Sequence, residues 1–248
     1  MQIRDCSLQS HIQHICICLK HTKMKAIVTG VSRGIGKSLI QQFLGRGISC
    51  IGITRSRDNL SPTFLENENF QYIEWRDLST EALVIENLRL LSNADILINN
   101  AADILVKPVI ETEDEDLSSL YQTNLIAPYS LIRHMYRHGL FNSGAHIINI
   151  SSMGGFQGAA KFPGLSAYSI SKAALVAMTE SMAIELSDVS VNCLCLGAVQ
   201  TEMLSKAFPN YKSEISDANM AEFIINFATT ESKLMSGCII PVKKLDPK

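Results

Sequence analysis

The chain is expected to fold as a single-domain α/β protein, a doubly wound, mostly parallel sheet with helices on both faces. Three features of the sequence predict this. Short apolar runs rich in β-branched residues recur along the chain, segments of helical periodicity separate them, and glycine-bearing or polar turns follow the ends of the runs. Strands buried on both faces read as such runs, because helices cover the sheet from either side.

The first run, Lys25-Ala26-Ile27-Val28-Thr29, is followed by an amphipathic helix at 35–46 and a strand at 48–54. A third strand at 70–75 comes after a polar stretch, 57–69, too short and polar for a regular helix, so that crossover is expected to be irregular. A helix at 81–91 leads to a fourth strand, Asp95-Ile96-Leu97-Ile98-Asn99. A long helical stretch at 113–138 precedes the strand at 146–151, and a helix at 167–186 precedes the strand at 189–196. The pattern closes with a helix at 218–228 and the run Cys238-Ile239-Ile240-Pro241-Val242. Ligands of such sheets bind beyond the carboxyl ends of the strands, which directs attention to the turns found there.

Composition limits the partners. With 22 Lys and Arg against 24 Asp and Glu, the formal charge is -2, which leaves no broad basic field for nucleic acid or an anionic membrane. A small molecule is the expected ligand. The 7 cysteines are odd in number and scattered through strand-like segments, as expected of buried thiols in a reducing cytoplasm. No stretch approaches the roughly 20 apolar residues of a spanning helix, and Gln13 and His14 interrupt any apolar leader core. Residues 1–23 precede the alternating pattern and read as an N-terminal extension, with 24–248 as the folded domain. Met24 stands immediately before the first strand, as a natural start would. His11, His14, Cys16, Cys18 and His21 lie in that extension, but their spacing matches no structural zinc pattern, so no metal is expected.

The turn after the first strand, Thr29-Gly30-Val31-Ser32-Arg33-Gly34-Ile35-Gly36, puts three glycines where a backbone and a helix N-terminus can approach a pyrophosphate. The second strand ends Thr54-Arg55-Ser56-Arg57 and carries no carboxylate to hold a ribose 2′-hydroxyl. Arg33 with Arg55 or Arg57 would instead bind a 2′-phosphate through charge-assisted pairs. Downstream of Ser151-Ser152, Tyr168 and Lys172 sit four residues apart at helical spacing. A tyrosine titrates at about 10 when unperturbed, and an ammonium one turn away is expected to lower that value and so make the phenol a proton donor near working pH.

In order and company these motifs resemble the short-chain dehydrogenase/reductase family, from about Met24 to Val242, with Asn99-Asn100-Ala101 and Asn124 also in place. The resemblance implies a Rossmann-type fold and a catalytic group of Asn124, Ser152, Tyr168 and Lys172. Ser152 would stabilise charge on a carbonyl oxygen, with Ser151 as the competing residue. Asn124 would hold a water beside Lys172, which would also bind the nicotinamide ribose. The cofactor contacts it implies fall on Gly30, Ser32, Arg33, Gly34, Ile35, Gly36 and Arg55, then Asp77 and Leu78 at the adenine edge, Asn100, Ala101, Tyr168 and Lys172. After the sixth strand Gly197, Val199 and Thr201 complete the set. NADP(H) is favoured over NAD(H).

The chain departs from the family's pattern in places. Ala102 replaces a glycine, which matters if that position requires positive φ, and Leu196 replaces a proline. The interval from Ser152 to Tyr168 is about three residues longer than usual, so the loop 156–165 is expected to bulge without moving the serine. The C-terminal end lacks the usual Asp-Gly-Gly and puts tetramer contacts in question. Met203, Leu204, Phe208, Tyr211, Phe156 and Phe162 are candidates to line a pocket for a compact apolar or aromatic carbonyl. The reading is an NADPH-dependent reductase of a small ketone or aldehyde, cytoplasmic and a homodimer or homotetramer. The alternatives are a non-catalytic cofactor sensor, which would lack Tyr or Lys, and an NAD-dependent epimerase or dehydratase, which needs a larger C-terminal domain than this length allows.

Overall fold

The computed structural model describes residues 24–75, 80–229 and 234–243. Seven strands form one sheet: β1 (Lys25–Thr29), β2 (Ser49–Thr54), β3 (Phe70–Glu74), β4 (Ala94–Asn99), β5 (Phe141–Ser152), β6 (Ser190–Leu196) and β7 (Ile239–Val242). Their order is β3-β2-β1-β4-β5-β6-β7 and every pairing is parallel, so the order reverses between β1 and β4. A ligand site is expected at that reversal, beyond the strand ends.

Two layers of helices cover the sheet, and the apolar periodicity explains which face each buries. Helix α1 (Gly34–Gly45) turns Leu39, Ile40 and Phe43 inward, where they meet Ile224 and Ile225 of the C-terminal helix Asp217–Thr229 and strand residues Val28, Ile98 and Leu194. On the other face, the helices Thr80–Glu86, Ala127–Arg137 and Ser166–Glu185 pack Val84, Leu131, Met135 and Leu175 against Ile27, Leu97, Ile147 and Val191.

Four details refine the periodic reading, and the irregular crossover after β2 is as expected. The helix foreseen at 81–91 breaks at Asn87 into α3 (Thr80–Glu86) and α4 (Leu88–Leu91), since Asn87 turns its side-chain amide onto the Leu83 carbonyl at 2.8 Å. The polar crossover after β2 holds a 3-10 turn at Arg57–Asn59 and the single-turn helix α2 (Pro62–Leu65). Strand β5 starts at Phe141, five residues before the apolar run, with a register irregularity opposite Ala94 and Ile96. The long helix of 113–138 is α5 (Asp114–Tyr121) and α6 (Ala127–Arg137), joined by a π-helical turn at Gln122–Ile126. A π-turn widens the helix and shifts its hydrogen-bond register, a distortion frequent at functional sites.

Candidate active site

One cavity of about 1690 Å³ opens across the carboxyl ends of β1 to β6. Its centre is the turn from β1 into α1. Gly30 has φ +74, and a Cβ there would lie 2.8 Å from the Ala101 backbone; a Cβ on Gly36 would lie 2.1 Å from the Gly30 carbonyl. Only glycine fits either position, so the turn folds back on itself tightly enough to present the α1 N-terminus to the cavity. Asn100 fastens this turn, donating its side-chain amide to Thr29 and Gly30 carbonyls at 3.0 and 3.1 Å. The Thr29 hydroxyl accepts from the Asn100 and Ala101 amides at 3.0 and 2.9 Å.

Gly30, Ser32, Arg33, Gly34 and Ile35 line the cavity at this turn, and Gly36 stands behind them as a packing residue. Arg55 lines it from the end of β2, whereas Arg57 does not and binds the Glu74 carboxylate through its backbone N–H at 2.8 Å. Asn100 and Ala101 line it beyond β4. Ala102 does too, and among the described residues Asn93 alone outside glycine has positive φ, so the alanine sits there without backbone strain. Asp77 and Leu78 lie outside the described residues.

Beyond β5 and β6 the cavity meets the Ser-Tyr-Lys group. Ser152 is the last residue of β5, and its hydroxyl accepts from the Gly154 amide at 3.0 Å and acts on the Tyr168 phenol, favouring the phenolate. Ser151, the competitor, turns the other way and donates to the Lys172 carbonyl at 2.8 Å. Tyr168 and Lys172 project from α7 (Ser166–Glu185) one turn apart, and Lys172 is 3% exposed, its ammonium donating to the Ile150 carbonyl at 2.8 Å. Burial lowers Lys172 to about 8, opposed by the neighbouring thiols of Cys193 and Cys195.

The phenol shifts against expectation. Burial raises Tyr168 to about 12, and only the Ser152 hydrogen bond pulls it down. Lys172 does not lower it, because burial brings that lysine to about 8 and it has lost its charge where the phenol titrates. The group is therefore arranged as a proton holder at neutral pH, one that needs added positive charge to release its proton.

Asn124 also differs in its employment. It is 1% exposed in the π-turn, and its side chain accepts from the Asp103 amide at 2.8 Å while donating to the Asp103 carbonyl and the Ser171 hydroxyl, both at 3.0 Å. Both amide hydrogens are thereby committed to protein, so the Asn124 side chain has no donor left for a water beside Lys172. Thr201 likewise caps α8 (Glu202–Ala207), its hydroxyl accepting from the Leu204 amide at 3.2 Å. Gly197, Val199 and Thr201 all line the cavity. At position 196 leucine continues the β6 ladder, paired with Ser152 and Val242.

The rim is apolar. Met203, Leu204, Ala207, Phe208 and Tyr211 line it on one side and Phe162 on the other, with the Phe162 and Phe208 rings edge to face at 5.3 Å. Phe156 is not among the lining residues. The loop that carries Phe162 is pinned by Lys161, whose ammonium donates to the Gly154 and Phe156 carbonyls at 2.6 and 2.9 Å, so the additional length is taken up outside Ser152. Sequence reasoning missed Trp75 in the cavity wall and the thiols beside Lys172. Cys193 and Cys195 are two apart on β6, which puts them on one face, and that parity was the available signal.

Comparison with known proteins agrees with this fold. Residues 24–212 match the short chain dehydrogenase family. The chain is 31% identical over 199 residues to the 3-oxoacyl-[acyl-carrier-protein] reductase of Chlamydia pneumoniae, covering 77% of this chain and 79% of that one. In three dimensions it resembles a 3-ketoacyl-(acyl-carrier-protein) reductase from Brucella melitensis solved with NADH, at TM-score 0.76 and 21% identity, covering 88% and 96% of the two chains. It also resembles ElxO solved with NADP bound, at TM-score 0.75 and 22% identity, covering 89% and 97%. The chain is an oxidoreductase belonging to the short-chain dehydrogenase family, whose members use nicotinamide cofactors.

Proposed function

We propose that the protein is a reductase of small ketones or aldehydes that prefers NADPH. The observation that carries this is the sharing of one cavity by the glycine turn and by Ser152, Tyr168 and Lys172. The residues present suit such a cofactor: the turn has no room for a Cβ at Gly30 or Gly36, and an α-helix N-terminus and two guanidiniums face the same space. A bound nicotinamide supplies the hydride that reduces the carbonyl carbon.

The chain's own residues do the rest. Arg33 and Arg55 share a 2′-phosphate, with no carboxylate at the end of β2 to repel it. Lys172 would hold the ribose hydroxyls, in exchange for its bond to the Ile150 carbonyl. Ser152 donates to the substrate oxygen, and Tyr168 delivers the proton to that oxygen as charge develops on it. Asn124 acts as a positioning residue, holding the 103 turn and Ser171 against the π-turn.

The apolar rim favours compact apolar or aromatic carbonyls, and the curated relatives add 3-oxoacyl thioesters to the substrates worth testing. Among the described residues no helix is long and apolar enough to cross a membrane, and we place the protein in the cytoplasm. A second groove on α6 and α7, with Ile126 and Tyr129 at its edge and Met178 inside, is our candidate for homo-oligomer contact. Following the fall in NADPH absorbance across a panel of carbonyl compounds, with NADH alongside, tests the reading. Turnover of at least one aromatic or aliphatic ketone, faster with NADPH, is expected; absence of turnover across the panel contradicts it.

A further inference from the structure

Glu202 heads the short helix α8 and lines the same cavity as the glycine turn. It is exposed, and a Cβ built on Gly34, the first residue of α1, would lie 3.7 Å from its Oε2. A carboxylate thus stands against the N-terminus of α1. That helix brings no acid of its own: its first turn holds no acidic residue, and its N-cap, Arg33, makes no side-chain cap. The positive end of the helix dipole therefore attracts the Glu202 carboxylate from the neighbouring turn after β6. No cation takes up this charge. Among the described residues the Glu202 side chain has no ion pair or hydrogen bond. Lys206, one helical turn on and placed for an i,i+4 pair, instead turns its ammonium to the Ile104 carbonyl at 3.3 Å.

The end of α1 is also where a cofactor pyrophosphate would rest. Two anions then compete for one helix end. A carboxylate that stays in place repels the incoming phosphates at short range, and one that swings aside gives up its attraction to the helix. In either case this charge weakens binding. Resting on the cofactor reading above, we propose that Glu202 is a charge brake on the cofactor: it holds affinity below what the glycine turn and the arginines would otherwise give, so that the oxidised cofactor leaves after each turnover. Its action differs in kind from that of Arg33 and Arg55. Those guanidiniums distinguish NADPH from NADH at the 2′-phosphate, whereas a carboxylate beside the pyrophosphate acts on both cofactors alike.

Glu202→Gln keeps the length of the side chain and removes its charge, and because the residue is exposed the melting temperature should hardly change. Calorimetric titration with NADPH and with NADH, at low and at high sodium chloride, is the test. At low salt both cofactors should bind the variant about three- to tenfold more tightly, by a common factor, and the dissociation rate of NADP+ should fall to match. At high salt the gain should shrink toward none, since ions screen an exposed charge. Glu202→Asp keeps the charge and should gain less than about twofold. Affinity that is unchanged or weaker in the glutamine variant overturns the proposal and leaves the cofactor reading standing. A gain undiminished by salt, or equal in the aspartate variant, makes the effect one of packing and overturns it too. So does a gain confined to NADPH, which would move the repulsion to the 2′-phosphate. A natural protein that binds neither cofactor defeats the cofactor reading and the brake with it.

Discussion

The floor and the rim of the cavity are built on different principles. On the floor, each functional position is set by backbone: Gly36 has a carbonyl 2.1 Å from where a Cβ would be, Asn100 fastens the turn with two bonds, and Ser152 is the last paired residue of β5. On the rim, Phe162 is 52% exposed and meets Phe208 by a ring edge, and the loop that bears it is held by the Lys161 side chain and by the Lys107 amide, which donates to the Gly164 carbonyl at 2.8 Å. The floor is therefore intolerant of change and the rim adaptable. That division suits a fold that keeps one cofactor chemistry and varies what it reduces.

Substitutions on the floor should have the largest effects. Gly36→Ala must push the Gly30 carbonyl aside, and a loss of NADPH affinity of at least about a hundredfold is expected by calorimetry. Gly45→Ala on the same helix is the control: nothing lies within 4 Å of its added Cβ, so affinity should be unchanged and stability rise by up to about 1 kcal/mol. If the two alanines behave alike, the contrast between a constrained floor and ordinary helix surface fails.

Charge at the cavity comes next. Arg33→Ala and Arg55→Ala should each weaken NADPH about tenfold and leave NADH nearly as it was, since only the 2′-phosphate contact is removed. Lys172 gives a related effect in pH. It titrates at about 8, so above that value the ammonium is lost, and kcat/KM for reduction should fall about tenfold per unit there. Stability has the opposite sign. Folded Lys172 releases its proton near 8 and an unfolded lysine near 10.5, so raising the pH between those values favours the folded state. A flat rate profile through pH 8 to 9 would detach Lys172 from the rate.

The rim should respond least. Phe208→Ala removes packing shared by substrate and transition state, and a rise in KM of about two- to fivefold for aromatic ketones with little change in kcat is expected. An unchanged KM would assign Phe208 to the Phe162 contact alone. Removal of Met1 to Lys23, which precede β1, should leave melting temperature and activity unaltered, and the full-length protein should hold no stoichiometric zinc.

What the sequence disclosed follows the same division. The glycine turn and the Tyr168-Lys172 pair were legible because each depends on local spacing along one element: a turn with no room for Cβ, or one turn of one helix. Trp75 was not, since its place in the cavity depends on which face of β3 it takes and on how β3 lies beside β2. The roles of Asn124 and Thr201 were only half legible, because motif context placed them while tertiary hydrogen bonds to Asp103, Ser171 and Leu204 decide what their side chains do. The upward shift of Tyr168 was missed for a related reason. Helical spacing puts Lys172 one turn away, but tertiary burial raises the phenol to about 12 and lowers the lysine to about 8, so the lysine is uncharged where the phenol titrates. Likewise β5 begins early where Phe141 pairs with Ala94, next to the Asn142 bond to Asp95 at 2.7 Å, contacts across strands that no local periodicity encodes.

The central claim is that Tyr168 gives the proton, and Tyr168→Phe addresses it most directly because only the hydroxyl is removed. NADPH affinity by calorimetry and turnover of the best substrate from the panel should be measured on the same preparation. The account predicts affinity within about twofold of the natural protein and turnover lower by at least a hundredfold, at the lower end of what a positioned general acid contributes. Reduction at near the natural rate by the phenylalanine variant, with NADPH still bound, would contradict it.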